Sequence, residues 1–218
     1  MTAGAKICGI KTDAALDAAL EGGARYIGLV FYGKSPRNVD IATAARLAAR
    51  ARGHAKVVAL VVDADDEELG EIIDAVSPDM IQLHGHETPE RVAEISRRFK
   101  VPLIKAIAVG ARDDTVRALD YVSAARLILF DAKPPKEPDA LPGGNGLVFD
   151  WNMIAEVSDR VPFMLSGGLT PDNVAAAIRQ TGAHAVDVSS GVESAPGVKD
   201  PELIRRFLHA VKTAKQFP

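Results

Sequence analysis

Residues 163–188, FMLSGGLTPDNVAAAIRQTGAHAVDV, contain one complete strand–helix–strand unit. The apolar run Phe163–Ser166 predicts a strand, and the Ala-rich segment Pro171–Thr181 behind a glycine pair predicts a helix. A second apolar run, Ala185–Val188, predicts the next strand. Near-continuous apolar strands that alternate with helices are typical of a parallel sheet covered by helices, so this stretch indicates a βαβ unit.

The same alternation extends over the rest of the chain. Eight strands are predicted, at Ala5–Cys8, Tyr26–Phe31, Val57–Val62, Met80–Leu83, Leu103–Ala108, Leu127–Asp131, Phe163–Ser166 and Ala185–Val188. Eight helices are predicted between and after them, at Thr12–Glu21, Ile41–Ala51, Asp65–Val76, Pro89–Phe99, Asp113–Val122, Trp151–Val157, Pro171–Thr181 and Asp200–Lys215.

Eight strand–helix units in 218 residues favour one particular α/β architecture. They predict a single (β/α)8 TIM barrel with parallel strands, in which one catalytic domain covers residues 1–218. An open flavodoxin-like sheet uses about five strands and would leave the last third of the chain unassigned. The Pro- and Gly-rich stretch Ala132–Leu147 is too short to separate two domains, so we expect a long functional loop after the sixth strand.

Charge and composition exclude several classes of function. The chain carries 26 basic and 29 acidic residues, so no global basic field favours nucleic acid or an anionic membrane as a partner. No apolar run reaches the roughly 20 residues that a membrane-spanning helix needs, and the amino terminus does not resemble a secretory signal. The single cysteine, Cys8, excludes an internal disulfide and favours a reducing, cytoplasmic location.

Active sites of (β/α)8 barrels lie at the carboxyl ends of the strands, which directs attention to Lys6, Cys8 and Asp131. Side-chain alternation along the first strand places Lys6 and Cys8 on the same face, and we expect both to point into the barrel mouth. A thiol near an ammonium group has a lowered pKa, so Cys8 is a candidate base or nucleophile. The alternative is that Cys8 serves only as a small, buried apolar side chain. Asp131 ends the sixth strand and is a candidate general acid, or else a cap on the following loop.

Polar side chains also follow the second and fourth strands. Arg37 lies in a loop with glycine and proline, where it is either a bidentate clamp for a substrate carboxylate or a solvated surface arginine. His84 is a candidate hydrogen-bond partner of the substrate, and His86 is expected on the surface. No third ligand stands at a suitable spacing from the two histidines, so no metal site is expected.

Glycine-rich turns follow the last three predicted strands. Unhindered backbone amides bind phosphate well, and in (β/α)8 barrels phosphate docks on the loops after strands seven and eight. Each turn alone is also compatible with a simple tight turn, but together they favour a phosphate-binding rim. The residues expected to form it are Gly144, Gly146, Gly167, Gly168, Ser190 and Gly191.

Ordered motifs along the chain resemble those of one known family. They are KICGI, FYGKSPR, QLHG, LFDAK, PGGNG, FDW, LSGGLTPDNV, VDVSSGVE and PGVKD, and they run in this order from residue 6 to residue 200. Singly the glycine motifs are weak, but the ordered set is specific. It resembles the phosphoribosylanthranilate isomerase family of tryptophan biosynthesis.

The resemblance implies an isomerase that converts N-(5-phosphoribosyl)anthranilate into 1-(2-carboxyphenylamino)-1-deoxyribulose 5-phosphate, with no metal or organic cofactor. It implies that Cys8 and Asp131 are the catalytic pair, that Arg37 engages the anthranilate end, and that the glycine rim holds phosphate. Lys6 and His84 complete the predicted substrate-binding set. We expect a small phosphorylated substrate, no nucleic acid or membrane partner, and a monomer or a homodimer. The lengthened loop after the sixth strand departs from the family pattern.

Two alternatives stay open on the sequence. Another phosphosugar barrel, such as a histidine-pathway isomerase or an indole-forming synthase, shares the expected fold. The histidine-pathway isomerase uses paired aspartates, whereas the first strand here ends in Cys8. A catalytically silent barrel that only binds a phosphorylated ligand is the second alternative, although it would have no use for Cys8, Asp131 and Arg37 together.

Overall fold

A computed structural model describes residues 3–135 and 141–214 and shows a closed barrel of parallel strands. The strands follow one another around the barrel in chain order: β1 Gly4–Cys8, β2 Tyr26–Phe31, β3 Lys56–Val61, β4 Met80–Leu83, β5 Leu103–Val109, β6 Leu127–Ala132, β7 Phe163–Leu165 and β8 Ala185–Val188. Strands β1 and β8 pair with Lys6 opposite Asp187, which closes the barrel. The predicted (β/α)8 architecture is therefore confirmed.

Helices surround the barrel and connect its strands. They are α1 Asp13–Glu21, α2 Ile41–Ala51, α3 Asp66–Val76, α4 Pro89–Phe99, α5 Arg112–Val116, α6 Val174–Thr181 and α7 Pro201–Thr213. Five of them begin where a side-chain oxygen accepts a backbone N–H of the first turn, at Thr12, Asp40, Asp65, Thr88 and Asp200. No helix within the described ranges is long and apolar enough to cross a lipid bilayer.

Three predicted helices are shorter than the sequence pattern suggests. The segment predicted at Asp113–Val122 divides into α5 and a 3₁₀ turn, Arg117–Tyr121. A 3₁₀ turn, Trp151–Ile154, replaces the helix predicted at Trp151–Val157. The Asp150 carboxylate caps this turn by accepting the N–H of Asn152 at 3.0 Å.

The helix predicted from Pro171 begins three residues later, because side chains hold the preceding residues in turns. The Asn173 side chain accepts the N–H of Thr170 at 2.8 Å and donates to the carbonyl of Gly168 at 3.0 Å. Helix α6 therefore starts only at Val174. Two predicted segments extend outside the described residues: the helix end at Lys215 and the middle of the loop 132–147.

Apolar side chains fill the barrel below its mouth and the layer between strands and helices. The inner cluster contains Val58, Met80, Ile104, Ala106, Leu129, Met164 and Ala185. A larger cluster packs the outer faces of the strands against the helices. This packing holds the eight strand ends at fixed positions, because closely packed side chains leave little free space for a strand to move.

The carboxyl-terminal helix α7 contributes to this packing, and Phe207 is its largest fully buried side chain. We expect Phe207→Ala to lower the free energy of unfolding by about 3–5 kcal/mol, because it leaves a cavity. The exposed Arg205 of the same helix is the control, and Arg205→Ala is expected to stay within about 0.5 kcal/mol. Urea unfolding followed by circular dichroism measures both changes. Equal effects of the two substitutions would contradict the packing role of α7.

Candidate active site

A cleft lies at the carboxyl ends of the strands. Of the eleven predicted site residues, ten line it: Cys8, Arg37, His84, Asp131, Gly144, Gly146, Gly167, Gly168, Ser190 and Gly191. Lys6 does not reach the wall, since its side chain is fully buried inside the barrel beneath Cys8. The fold thus brings together residues that are up to 183 positions apart in the chain, from Cys8 to Gly191.

The Cys8 thiol lies at the end of β1, where Gly28 of β2 leaves room for it. A Cβ at Gly28 would stand 2.9 Å from the sulfur, so any larger residue would displace the thiol. Burial raises the pKa of Cys8, while the ammonium groups of Lys6 and Lys199 lower it and the Asp187 carboxylate raises it further. The net pKa is raised, so the expected lowering by Lys6 is outweighed, because removal from water disfavours the thiolate more strongly.

Beneath the thiol, Lys6 forms an ion pair across the seam of the barrel. Its Nζ lies 3.0 Å from Oδ1 of Asp187, and the Ser166 hydroxyl donates to Oδ2 of the same carboxylate at 3.4 Å. Burial lowers the pKa of Lys6, but the Asp187 carboxylate and the Cys8 thiol outweigh this effect and raise it. Lys6 is therefore a charged residue of the cleft floor, one layer below the space available to a substrate.

Asp131 is held from two sides at the end of β6. Its Oδ1 accepts the N–H of Ala132 at 2.9 Å, and its Oδ2 lies 3.4 Å from Nε2 of His84. The side-chain nitrogen of Gln82 lies 2.7 Å from Nδ1 of His84, on the side of the ring away from Asp131. Only glycine fits at position 143 above them, since a Cβ there would stand 2.7 Å from Oδ2 of Asp131.

Sequence reasoning did not assign a role to Gln82, which is fully buried on the inner face of β4. Its Oε1 has no hydrogen-bond partner among the described residues. The signal was present in the QLHG motif, because a buried amide two positions before an inward histidine can reach its ring. Gln82 thus sets the orientation of His84, and through it that of Asp131.

Arg37 is buried, with only 6% of its surface exposed, which excludes the solvated alternative. Its bidentate partner is a carboxylate of the protein itself, because Nε and Nη2 donate to Glu193 at 2.8 and 2.9 Å. Nη2 also donates to the carbonyl of Gly144 at 3.2 Å. Nη1 makes no such bond within the described part of the chain, so this nitrogen is the donor left for a ligand.

His84 and His86, two residues apart after β4, lie in different environments. His84 lines the cleft, whereas the side chain of His86 is 95% exposed and lies 3.1 Å from Asp63. Within residues 3–135 and 141–214, no three side chains of His, Cys, Asp or Glu are grouped as metal ligands.

The glycine-rich turns converge on one side of the mouth. Gly167 and Gly168 have φ of 88° and 58°, in the left-handed region that favours glycine. A Cβ at Gly191 would collide with the carbonyl of Leu169, so the loops after β7 and β8 touch at this point. Gly146 lies beside Ser190, since a Cβ on it would stand 3.8 Å from the hydroxyl. Three loops therefore form one concave rim with little side-chain bulk.

An apolar wall faces this rim across the cleft. Val30 and Leu60 pack against Cys8, with Tyr32 and Val62 beside them. These residues end β2 and β3, and in a closed barrel of eight strands β2 and β3 stand opposite β6 and β7. The cleft thus has a polar glycine side and an apolar side, and Arg37 contacts the glycine side through the carbonyl of Gly144. This wall was missed in the sequence because mouth residues of a strand have the same apolar composition as core residues.

A closed (β/α)8 barrel with acid–base side chains and glycine turns at the carboxyl ends of its strands defines a barrel enzyme. Residues 5–210 match the family model described as N-(5'phosphoribosyl)anthranilate (PRA) isomerase. An N-(5'-phosphoribosyl)anthranilate isomerase of Rhodopseudomonas palustris (strain BisA53) is 56% identical over 211 residues, which cover 97% of this chain and 96% of the relative. The chain belongs to the phosphoribosylanthranilate isomerase family of tryptophan biosynthesis, as its motifs predicted.

Solved structures of the same family share the fold. Monomers generated from the dimeric phosphoribosylanthranilate isomerase of Thermotoga maritima superpose with a TM-score of 0.83 and 35% identity, covering 96% of this chain and 98% of theirs. A phosphoribosyl anthranilate isomerase in complex with reduced 1-(o-carboxyphenylamino)-1-deoxyribulose 5-phosphate superposes with a TM-score of 0.84 and 34% identity, with the same coverage.

The charge balance at Cys8 gives a testable prediction. We expect Lys6→Met to raise the pKa of the thiol further, because it removes the ammonium group that lowers this pKa most. Alkylation of Cys8, the chain's single cysteine, by iodoacetamide as a function of pH measures this pKa directly. Lys105→Met is the control, because it removes another buried ammonium group, paired with Glu87 at 2.6 Å. An unchanged thiol pKa in Lys6→Met would contradict the electrostatic assignment.

Proposed function

We propose that the cleft of this chain isomerises N-(5-phosphoribosyl)anthranilate to 1-(2-carboxyphenylamino)-1-deoxyribulose 5-phosphate, with Asp131 as general acid and Cys8 as general base. The observation that carries the proposal is the placement of the two groups. Cys8 ends β1 and Asp131 ends β6, and both face the same cleft from separate strands. A substrate lying between them exposes its ring oxygen to the acid and the hydrogen on C2 to the base.

The first step opens the ribose ring. Protonated Asp131 donates its proton to the ring oxygen while the bond between that oxygen and C1 breaks. The lone pair of the anthranilate nitrogen forms a double bond to C1, which gives a cationic Schiff base. His84 holds Oδ2 of the carboxylate at 3.4 Å, and this contact keeps Asp131 aimed at the leaving oxygen.

The second step moves hydrogen from C2. The Cys8 thiolate takes the C2 proton, the C–H electron pair forms a C1–C2 double bond, and the nitrogen becomes neutral. The resulting enol loses its hydroxyl proton as C1 gains one, which yields the C2 ketone. C1 is reduced and C2 oxidised within one molecule, so the scheme needs no metal or organic cofactor.

The raised thiol pKa is compatible with this role because the first step brings a positive charge to the base. The cationic Schiff base adds to the ammonium groups of Lys6 and Lys199, and opposite charge nearby favours the thiolate. The thiolate is therefore favoured most when the substrate ring is open. Binding that is stronger at this stage than in the ground state accelerates the reaction.

The two ends of the cleft suit the two ends of the substrate. The glycine rim offers backbone amides to the phosphate, and the wall of Val30, Leu60 and Val62 accepts the aromatic ring. Nη1 of Arg37 is available to the ring carboxylate. Anchoring at both ends fixes the reacting carbons between acid and base.

The setting of the enzyme follows from the same proposal. A single catalytic domain acts in the cytoplasm on one small phosphorylated substrate, without a nucleic-acid or membrane partner. The dimeric isomerase of Thermotoga maritima supports a homodimer as one arrangement, and a monomer is the other. Gel filtration with light scattering distinguishes the two.

Turnover of the substrate, generated in solution from anthranilate and ribose 5-phosphate, tests the chemistry. Decay of the anthranilate-type fluorescence is expected with the wild-type protein. Cys8→Ser and Asp131→Asn are each expected to lower kcat by about 10²–10⁴-fold, while the affinity for product stays within a few-fold. His86→Ala, at an exposed position, is the control and should keep the wild-type rate. A wild-type protein that binds product without turnover would favour the silent barrel, and an active Cys8→Ser would overturn the base assignment.

The phosphate rim is tested by a matched pair of glycine substitutions. Gly168→Ala is expected to raise KM about tenfold or more, because its Cβ would stand 2.7 Å from the carbonyl of Leu147 and displace the rim. Gly182, at φ 65° after α6, has nothing within 4 Å of a Cβ. Gly182→Ala carries a similar left-handed strain of about 1–2 kcal/mol without touching the cleft. If both variants change KM equally, the rim assignment fails.

A further inference from the structure

We propose that Glu193 and Lys199 are positioning residues: Glu193 orients Arg37 toward the substrate carboxylate, and Lys199 holds Ser189 and, through it, the strand end that carries Cys8. This inference rests on the proposed function and extends it to two residues outside the cleft wall. Both lie on a short hairpin after β8, formed by β9 Glu193–Ala195 and β10 Val198–Lys199. The sequence pattern gave no indication of this hairpin.

Glu193 fixes the guanidinium group from one edge. The carboxylate takes the Nε and Nη2 protons at 2.8 and 2.9 Å, a side-on pair that allows only one orientation of the planar group. Burial raises the pKa of Glu193, but hydrogen bonds and charge from Arg37 and Lys199 outweigh it and lower the pKa. Glu193 is thus an anion, and the opposite edge of Arg37 is turned toward the cleft.

Lys199 connects this pair to the catalytic strand. Its Nζ donates to Oε1 of Glu193 at 2.6 Å, to the Ser189 carbonyl at 2.9 Å and to the Ser189 hydroxyl at 3.3 Å. The Ser189 hydroxyl in turn donates to the carbonyl of Cys8 at 3.2 Å. One chain of bonds therefore runs from the substrate-facing arginine to the residue that bears the thiol.

The hairpin turn is built against the arginine loop. Gly197 has φ 77° and donates its N–H to Oε2 of Glu193 at 3.2 Å. A Cβ on Gly197 would collide with the carbonyl of Pro36, next to Arg37. This close approach fixes the distance between the hairpin and the loop, so the carboxylate reaches the guanidinium group without adjustment.

The charges of the group leave one positive charge for a ligand. Arg37 and Lys199 contribute two positive charges and Glu193 one negative charge. Oε1 of Glu193 lies 2.8 Å from Nε of Arg37 and 2.6 Å from Nζ of Lys199. A substrate carboxylate neutralises the remainder. Charged groups around the thiol come from several elements: Lys6 on β1, Asp131 on β6, Asp187 on β8, Lys199 on β10, with His84 and Arg37 in the adjoining loops.

The roles of the two residues predict effects on different quantities. Lys199→Met is expected to raise the thiol pKa and to lower kcat about tenfold, because Ser189 loses the bonds that hold it and the thiolate loses a stabilising charge. Lys199→Arg, which keeps the charge, should restore most of both. Glu193→Gln is expected to raise KM and the Kd for product about tenfold or more, with kcat within threefold and no increase in thiol pKa.

Iodoacetamide alkylation of Cys8 in the absence of substrate gives the thiol pKa, and steady-state kinetics with product titration gives the rest. Lys105→Met, which breaks the buried pair with Glu87, controls for loss of stability alone and should leave the thiol pKa unchanged. A folded Lys199→Met with the wild-type thiol pKa, or a Glu193→Gln with unchanged product affinity, would overturn the proposal. If Lys199→Met does not fold, the isosteric Glu193→Gln decides. A wild-type protein without turnover defeats the proposed function, whereas the alkylation result does not depend on it.

Discussion

The ion pair between Lys6 and Asp187 is the constraint on which the interior of this barrel depends. The two residues lie opposite each other where β1 meets β8, so the pair spans the seam that closes the sheet. A single buried charge there would cost several kcal/mol, and removal of one partner of such a pair typically costs about 3–5 kcal/mol. The register of β1 and β8 brings the two charges together and so favours this closure of the barrel. That register also determines the height at which Cys8 reaches the mouth.

The chemistry at Cys8 is a balance between desolvation and charge. Burial disfavours the thiolate, and Lys6 and Lys199 favour it, from below and from the β9–β10 hairpin. Lys199 itself has a lowered pKa, since its burial outweighs the attraction of Glu193. Burial thus outweighs the two ammonium groups, and the pKa of the thiol is raised.

The sequence was sufficient for the strands and the cleft residues but not for their partners. All eight strands were predicted because buried parallel strands are short and almost uniformly apolar. Cys8, Asp131 and Arg37 were found because they interrupt such runs or follow them. The pairing of Arg37 with Glu193 joins positions 156 apart, and no local pattern encodes such a distance. The start of α6 was predicted too early, at Pro171, because the hydrogen bonds of the Asn173 side chain hold the preceding residues in turns.

The positions of charged groups near the cleft matter more for substrate binding than the net charge of the chain. The chain has a net charge of −3, which would repel a substrate that bears a phosphate and a carboxylate. At the mouth charges of both signs stand close together: Arg37 and Lys199 pair with Glu193, Asp131 and Asp187 also line the cleft, and the glycine rim adds backbone N–H groups. Because exposed charges more than about 10 Å apart are screened by salt, the acidic outer surface has little effect inside the cleft. The substrate therefore meets a local field set by nearby side chains and backbone N–H groups, and the hairpin that carries Glu193 and Lys199 is as much a part of the site as the strands.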